Sequence, residues 1–318
     1  MPVEQFIIFF LLLITGFFCK KYGIFSDAAI NAINKFVIIV GYPCLILGRT
    51  TALNMSQGIF TNFLLALFIN IGLLLLAGFY AWVYCRGKRF PEEDKPVAEF
   101  AIMSSNNGFM GFPVALAFFG DLGLLYMIGA NIALNTVFFT YGVKTLNRGV
   151  FVPAEPALKK LLKLLLMFAH PKLSAAFVGI ILCYNHIRLP DFSMEFLNTV
   201  GSIAPPLAMI SIGTMLASGF GAHSFKNRRV MEVVLNNLFA VPVIAAVVVW
   251  FLPIDPLLKT IIIVSHTMPV AAMVPIFTEL HGRNTGFAGE TIVVATIFSM
   301  VTIPVAIWAL GSFAPWAG

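Results

Sequence analysis

The chain has 318 residues, 59% of them hydrophobic and only 11% charged, with a formal net charge of +6. Soluble domains carry about 25% charged residues, so this composition excludes a water-covered globule and defines a polytopic membrane protein. The positive balance is not a nucleic-acid footprint, because the basic residues sit in short loops between apolar stretches.

In chain order, hydropathy windows place ten spans at 4–18, 28–47, 60–84, 97–119, 123–142, 165–187, 194–217, 230–252, 257–280 and 287–311. In the first, the basic pair Lys20-Lys21 follows the apolar run. A cleaved signal peptide has the opposite order, so this segment is expected to be retained. Span 2 carries Gly41-Tyr42-Pro43-Cys44-Leu45, and span 7 carries Ala204-Pro205-Pro206-Leu207. Span 4 holds Ser104-Ser105-Asn106-Asn107-Gly108-Phe109-Met110-Gly111-Phe112-Pro113 between two apolar runs. Proline removes a backbone donor and glycine weakens a helix interior, so this span should break in mid-membrane. Such a break is tolerated only where it lines a protein-enclosed cavity. Span 9 has a matching interruption, Ser265-His266-Thr267-Met268-Pro269-Val270-Ala271-Ala272-Met273-Val274-Pro275. Cys19, Cys44, Cys85 and Cys183 have no paired or metal-ligand spacing and are expected to be free thiols.

With the N-terminus outside, all but Arg49, Arg188 and Lys259 of the 20 basic residues fall on one side. The positive-inside rule then puts both termini outside a multi-pass protein of the cell's inner (plasma) membrane. The stretch 149–164, with Pro153, Pro156 and a basic cluster, divides two five-span halves, 1–148 and 165–318. Five is odd, so the halves have opposite orientation, as an inverted repeat requires. Asn106 lies nine residues beyond Val97, and His266 nine beyond Leu257. At 1.5 Å per residue each is about 14 Å deep, from opposite faces, so both breaks reach the midplane. Paired broken helices in inverted halves are the sequence pointer to a transporter's binding site.

The run Asn106-Asn107-Gly108-Phe109-Met110-Gly111-Phe112-Pro113 resembles the span-4 motif of the auxin efflux carrier family, which includes the plant PIN-formed transporters and many bacterial carriers. Span 9, with Met268-Pro269 and Val274-Pro275 before Phe277, is similar to that family's second break. Tyr42-Pro43-Cys44-Leu45, Pro205-Pro206-Leu207 and Thr302-Ile303-Pro304 extend the likeness over essentially the whole chain, and the short central loop looks bacterial. The resemblance implies an all-α fold of ten transmembrane helices in two inverted five-helix repeats, with helices 4 and 9 broken and crossing, as in bile-acid symporters and sodium–proton antiporters. It further implies a scaffold of helices 1, 2, 6 and 7, a mobile remainder moving as an elevator, and homodimers. The implied cargo is a small organic anion: an auxin-like acid, malate or malonate.

The residues themselves agree with an anion. A half-helix restarting at Pro113 would aim free N–H groups and its positive dipole end into the cavity. A restart at Pro269 or at Pro275 would supply a second such end. Asn106 is the expected substrate contact; Asn107 is a second candidate contact, with satisfying the unwound backbone as the role more expected of it. The remaining candidate contacts are Gly108, Gly111, Pro113, His266, Pro269, Pro275 and Asn135. His266 is the only histidine deep in a span; it either bonds freed carbonyls of the break or titrates and couples transport to protons. Sodium bound by Ser105, Ser265 and Thr267 is the other coupling ion to consider. For Asn131, Asn135 and Thr136 in span 5, and Asn236 and Asn237 in span 8, the default role is hydrogen bonding between helices. Tyr42 and Tyr141 are expected to pack.

No Asp or Glu is placed at the midplane, which disfavours cation exchange. There is no His-Glu-x-x-His, Gly-x-Ser-x-Gly or P-loop motif, so enzyme and ATP-driven readings fail, and no cofactor is expected. The leading reading is a secondary carrier of small organic anions. A sodium-coupled symporter of the bile-acid type is the alternative within transport. An anion-binding membrane sensor is the alternative from another class, disfavoured because the chain holds no soluble signalling segment.

Overall fold

A computed structural model of the protein describes residues 2–87, 89–149, 170–219 and 223–313. Apart from Gly149, the predicted linker 149–164 lies outside the described residues, as does the start of the sixth predicted span. The helices are α1 (Pro2–Lys21), α2 (Asp27–Thr51), α3 (Gln57–Cys85), α4 (Lys95–Met103), α5 (Gly111–Leu146) and α6 (Pro171–Tyr184). They continue as α7 (Asp191–Gly219), α8 (Arg228–Trp250), α9 (Pro256–Thr267), α10 (Val274–Leu280) and α11 (Thr285–Phe313). Among the described residues six of them, α2, α3, α5, α7, α8 and α11, are long and apolar enough to cross a membrane.

Local chemistry sets the ends and bends. Ser26 accepts the Ala29 N–H at the start of α2, and Asp255 accepts that of Leu258 at the start of α9. In α2 and α8 a π-type turn, Val37–Gly41 and Asn236–Ala240, comes just before a proline, Pro43 and Pro242. A proline cannot donate to the ladder, and the wider turn absorbs the mismatch. In α5 the chain turns at Gly120, where φ is 65°. Only glycine adopts that value without strain, and it parts the stretches 97–119 and 123–142 expected as separate spans. The four cysteines are free, in accord with their spacing.

The chain forms two compact units, and each draws on both halves of the sequence. The first comprises Met1–Leu64, Phe112–Ile128 and Pro153–Ser218. Its helices approach backbone to backbone: a Cβ on Gly16 would lie 2.0 Å from the Ile210 carbonyl oxygen, and one on Gly213 2.0 Å from that of Leu13. Gly201 meets the Leu45 backbone in the same way, at 2.7 Å. Lipid supplies no hydrophobic drive between helices, so small residues that permit such contact are what hold this unit. Tyr42 is fully buried, with its ring edge-on to Phe112 at 5.2 Å, the packing role expected of it.

The second unit comprises Leu65–Gly111, Gly129–Val152 and Gly219–Gly318. Phe100 of α4, Phe138 of α5 and Phe277 of α10 form one aromatic cluster, with centroids 4.7 to 5.9 Å apart. Tyr141 packs on Gly78, again as expected. Asp94, 1% exposed, accepts from Arg229 at 2.5 Å and from Asn284 at 2.8 Å, tying together the starts of α4, α8 and α11. Glu99 is buried against Arg148 at 2.7 Å. Both carboxylates are paired, as burial of a charge demands.

Candidate functional site

The second unit holds the unwound stretch of each interrupted segment, the first as far as Gly111. Helix α4 stops at Met103, and Ser104 is extended (φ −97°, ψ 117°). Helix α9 stops at Thr267, and Met268 is extended as well (φ −66°, ψ 145°). The two unwound stretches pair antiparallel, with Ser105 opposite Val270. The Asn106 N–H donates to the Pro269 carbonyl at 2.7 Å, and the Ala271 N–H to that of Ser104 at 3.3 Å. Proline at 269 has no N–H to leave unpaired, so it joins this two-bond ladder without loss. These bonds satisfy backbone groups that neither helix can reach.

Beyond the pairing, the Asn106 carbonyl accepts the N–H groups of Met110 (3.2 Å) and Gly111 (3.1 Å), and its side-chain Oδ1 accepts that of Phe109 at 3.3 Å. This closes the turn that carries Gly108 and starts α5 at Gly111, with Pro113 in its first turn. On the other side α10 starts at Val274 with Pro275 next. The two prolines of span 9 therefore divide the work: Pro269 lies in the crossing and Pro275 opens the second half-helix.

Asparagines brace the crossing from three helices. Asn237 of α8 points its amide N–H2 at the carbonyls of Ile102 and Ser104, both at 3.1 Å, and Ala101 at 3.4 Å. It thereby caps the end of α4 that the break exposes. Asn70 of α3 accepts the Ser265 hydroxyl at 3.0 Å and donates to the Ala66 carbonyl at 2.6 Å. On α5, Asn131 donates to Asn107 Oδ1 at 2.8 Å, and Asn135 donates to the Asn131 carbonyl at 2.8 Å and its Oδ1 at 3.2 Å. Asn236 accepts the Tyr80 hydroxyl. Thr136 bonds its own helix at the Ile132 carbonyl. The default expected of these amides, bonding between helices, describes Asn131, Asn236 and Asn237. Asn70 was not singled out in the sequence; an asparagine in the middle of an uncharged 29-residue helix was the available signal.

Several buried polar atoms are left over. Among the described residues, both ring nitrogens of His266, the Ser105 hydroxyl and Asn237 Oδ1 have no hydrogen-bond partner. His266 is 1% and Ser105 2% exposed. The expected bond from His266 to the freed carbonyls of the break is not made. Asn106 uses only its carbonyl-type oxygen, which leaves its amide N–H2 uncommitted among the described residues. Ser265 and Thr267 each donate within α9, to Ile262 and Val264. Other unpartnered buried atoms, at Arg49, Glu99, Thr145 and Thr302, lie elsewhere. An unmet buried polar group costs about 1–3 kcal/mol, so Ser105 on the first unwound segment and His266 in the last turn of α9 call for a reason. No group of three metal-ligating side chains occurs among the described residues.

The sequence profile of the membrane transport protein family matches residues 2–307, nearly the whole chain, and the protein belongs to that family. The likeness to the auxin efflux carriers is thus carried by the full length and not by the breaks alone. A transporter of Methanocaldococcus jannaschii, uncharacterized by name, is 28% identical over 318 residues, covering 97% of this chain and 99% of its own. A second uncharacterized transporter, from Methanothermobacter thermautotrophicus, is 24% identical over 300 residues, 94% of each chain. The protein is a membrane transporter, not an enzyme.

Proposed function

We propose that the protein is a secondary carrier of small organic anions and that the substrate carboxylate binds at the crossing of the two unwound segments. The observation that carries this reading is the set of unused polar groups at or next to the paired stretches: the uncommitted amide of Asn106, the buried Ser105 hydroxyl and the buried ring of His266. The paired stretches 104–111 and 267–273 contain no Lys, Arg, Asp or Glu. An anion is then held by dipoles, the uncommitted Asn106 amide and the positive end of α5, without a fixed counter-charge. Gly108, Gly111 and Pro113 shape that end, and Pro269 and Pro275 shape the opposite wall. Asn107, Asn131 and Asn135 hold the asparagine segment in place.

His266 is the group we assign to coupling. A carboxylate beside the ring makes its protonated form more favourable, so anion and proton bind together. The support for the proton reading over a sodium site built with Ser105, Ser265 and Thr267 is the His266 ring, a titratable group whose two nitrogens have no partner among the described residues.

The same reading takes the fold as ten helices in two inverted repeats and the motion as an elevator. Its support is the partition of the chain: helices α1, α2, α6 and α7 belong to one compact unit, while the unwound stretches of both breaks belong to the other. The bilayer is the cell's inner membrane, both termini are outside, and the carrier is a homodimer. The basic-residue asymmetry supports the orientation, and the family likeness supports the dimer.

The test is binding and uptake by reconstituted protein of indole-acetate, malonate, malate and a bile acid, each with and without sodium. Asn106→Ala is expected to lower the affinity of the transported acid about ten-fold, about 1.4 kcal/mol, with the thermal midpoint retained. His266→Gln is expected to abolish proton uptake, read with a pH dye in weak buffer. Strict sodium dependence would replace the coupling assignment. Binding without uptake by liposomes would leave a sensor in place of a carrier.

A further inference from the structure

A basic concavity of about 620 Å³ lies in the second unit, away from the crossing, lined by Arg86, Arg89, Phe90, Glu92, Lys95 and Arg229. Two of its cations are already balanced: Lys95 pairs with Glu92, and Arg229 with Asp94. Arg86 and Arg89 have no carboxylate partner among the described residues, and both are exposed. Their guanidinium groups are nevertheless held in place. That of Arg86 lies 3.9 Å from the centroid of the Trp82 ring, and that of Arg89 4.5 Å from the Tyr84 ring. Stacking fixes the plane of a guanidinium, and a fixed plane presents two N–H donors at the spacing of two phosphate oxygens. The cavity thus offers two pre-oriented, unneutralised forks.

Its place on α3 points to the source of the phosphate. Arg86 directly follows the 29-residue apolar helix that ends at Cys85, with Trp82 and Tyr84 in the last turn, where aromatic side chains mark a membrane–water boundary. Phe79 and Val83, 57% and 50% exposed, stand four residues apart, seven and three residues before Arg86. Residues at that spacing share one face of a helix, so an apolar strip runs up to the Arg86 side of the cavity. A soluble phosphate would need the cavity alone; a phospholipid would use the strip as well.

We propose that this concavity is a binding site for the phosphate headgroup of an anionic phospholipid, held by Arg86 and Arg89, with an acyl chain along Phe79 and Val83. Asp94, which joins the starts of α4, α8 and α11, lies between cavity residues Glu92 and Lys95. A bound headgroup therefore stabilises the end of the unit from which α4 departs.

Delipidated protein in detergent would be incubated with phosphatidylglycerol, phosphatidylcholine or inorganic phosphate, with retention read by native mass spectrometry and folding by thermal unfolding. The expected result is about thirty-fold preference for phosphatidylglycerol over phosphatidylcholine, equivalent to about 1 kcal/mol for each guanidinium. Arg86→Gln/Arg89→Gln should lose that preference, while Arg228→Gln, which removes a cation outside the cavity, should keep it. Arg86→Lys/Arg89→Lys keeps the charge without the forks and should fall between, and it serves should the glutamine variant not fold. Equal retention of the two lipids, or a preference unchanged in the double variant, overturns the proposal. Stabilisation by inorganic phosphate equal to that by phosphatidylglycerol, lost in the double variant, overturns the lipid assignment in favour of a soluble phosphate.

Discussion

The two compact units hold their helices by different means. In the first, the closest contacts are backbone on backbone, made where Gly16, Gly201 and Gly213 remove every atom between neighbours. In the second, they run through amide side chains that reach the ends of interrupted helices. A backbone contact leaves no donor or acceptor over and has one geometry. A polar network leaves atoms over when it is not closed, and the unpartnered atoms of His266, Ser105 and Asn237 are on this one. The comparison teaches where to look for a ligand: the first unit leaves over only Arg49 Nε among its described residues, and the asparagine-braced unit holds the other unmet hydrogen bonds.

The hardest test of that contrast is Gly213→Leu. A Cβ there would lie 2.0 Å from the Leu13 carbonyl oxygen, a main-chain atom that cannot swing aside. A loss of about 3 kcal/mol is expected, seen as a collapsed monodisperse peak on size-exclusion chromatography. Gly72→Leu on α3 meets nothing within 4 Å and should behave as the parent protein. Equal behaviour of the two variants would remove the backbone-contact account of the first unit.

A smaller effect is expected at the brace on α4. Asn237→Ala leaves the carbonyls of Ile102 and Ser104 without their amide donor, and should cost about 1–2 kcal/mol. Hydrogen exchange over residues 95–107 would rise, while exchange in α1 and α7 stays constant; a uniform rise would mean that the amide supports the whole molecule. Smallest is Asn70→Ala, which takes one bond from Ser265. About 0.6 kcal/mol is expected there, since Ser265 keeps its bond to Ile262. A larger loss from Asn70→Ala than from Asn237→Ala would reverse the ranking of the two braces.

Much of the candidate site was legible in the sequence because chain breaking is local chemistry. Proline and glycine act on their own turn, so Asn106 to Pro113 and Met268 to Pro275 declared themselves as interruptions without knowledge of any neighbour. The bonding role of Asn237 was legible as a default, because an amide inside a membrane helix must find a partner. Its actual partners were not legible, since Ala101, Ile102 and Ser104 lie more than 130 residues away in sequence. Asn70 was missed for the same reason: its partner Ser265 lies 195 residues away in sequence.

By itself, the sequence determined that the chain lives in a membrane, that two of its spans must break, and that the breaks carry uncharged polar groups. Composition and the covalent limits of proline and glycine suffice for that. Only the tertiary structure decided that Pro269 lies in the crossing while Pro275 opens a helix, because the choice rests on which carbonyl meets the Asn106 N–H. Only the tertiary structure decided, too, that His266 is left with two unpartnered nitrogens. Whether a buried group is satisfied depends on every element around it, and no stretch of the chain contains that information.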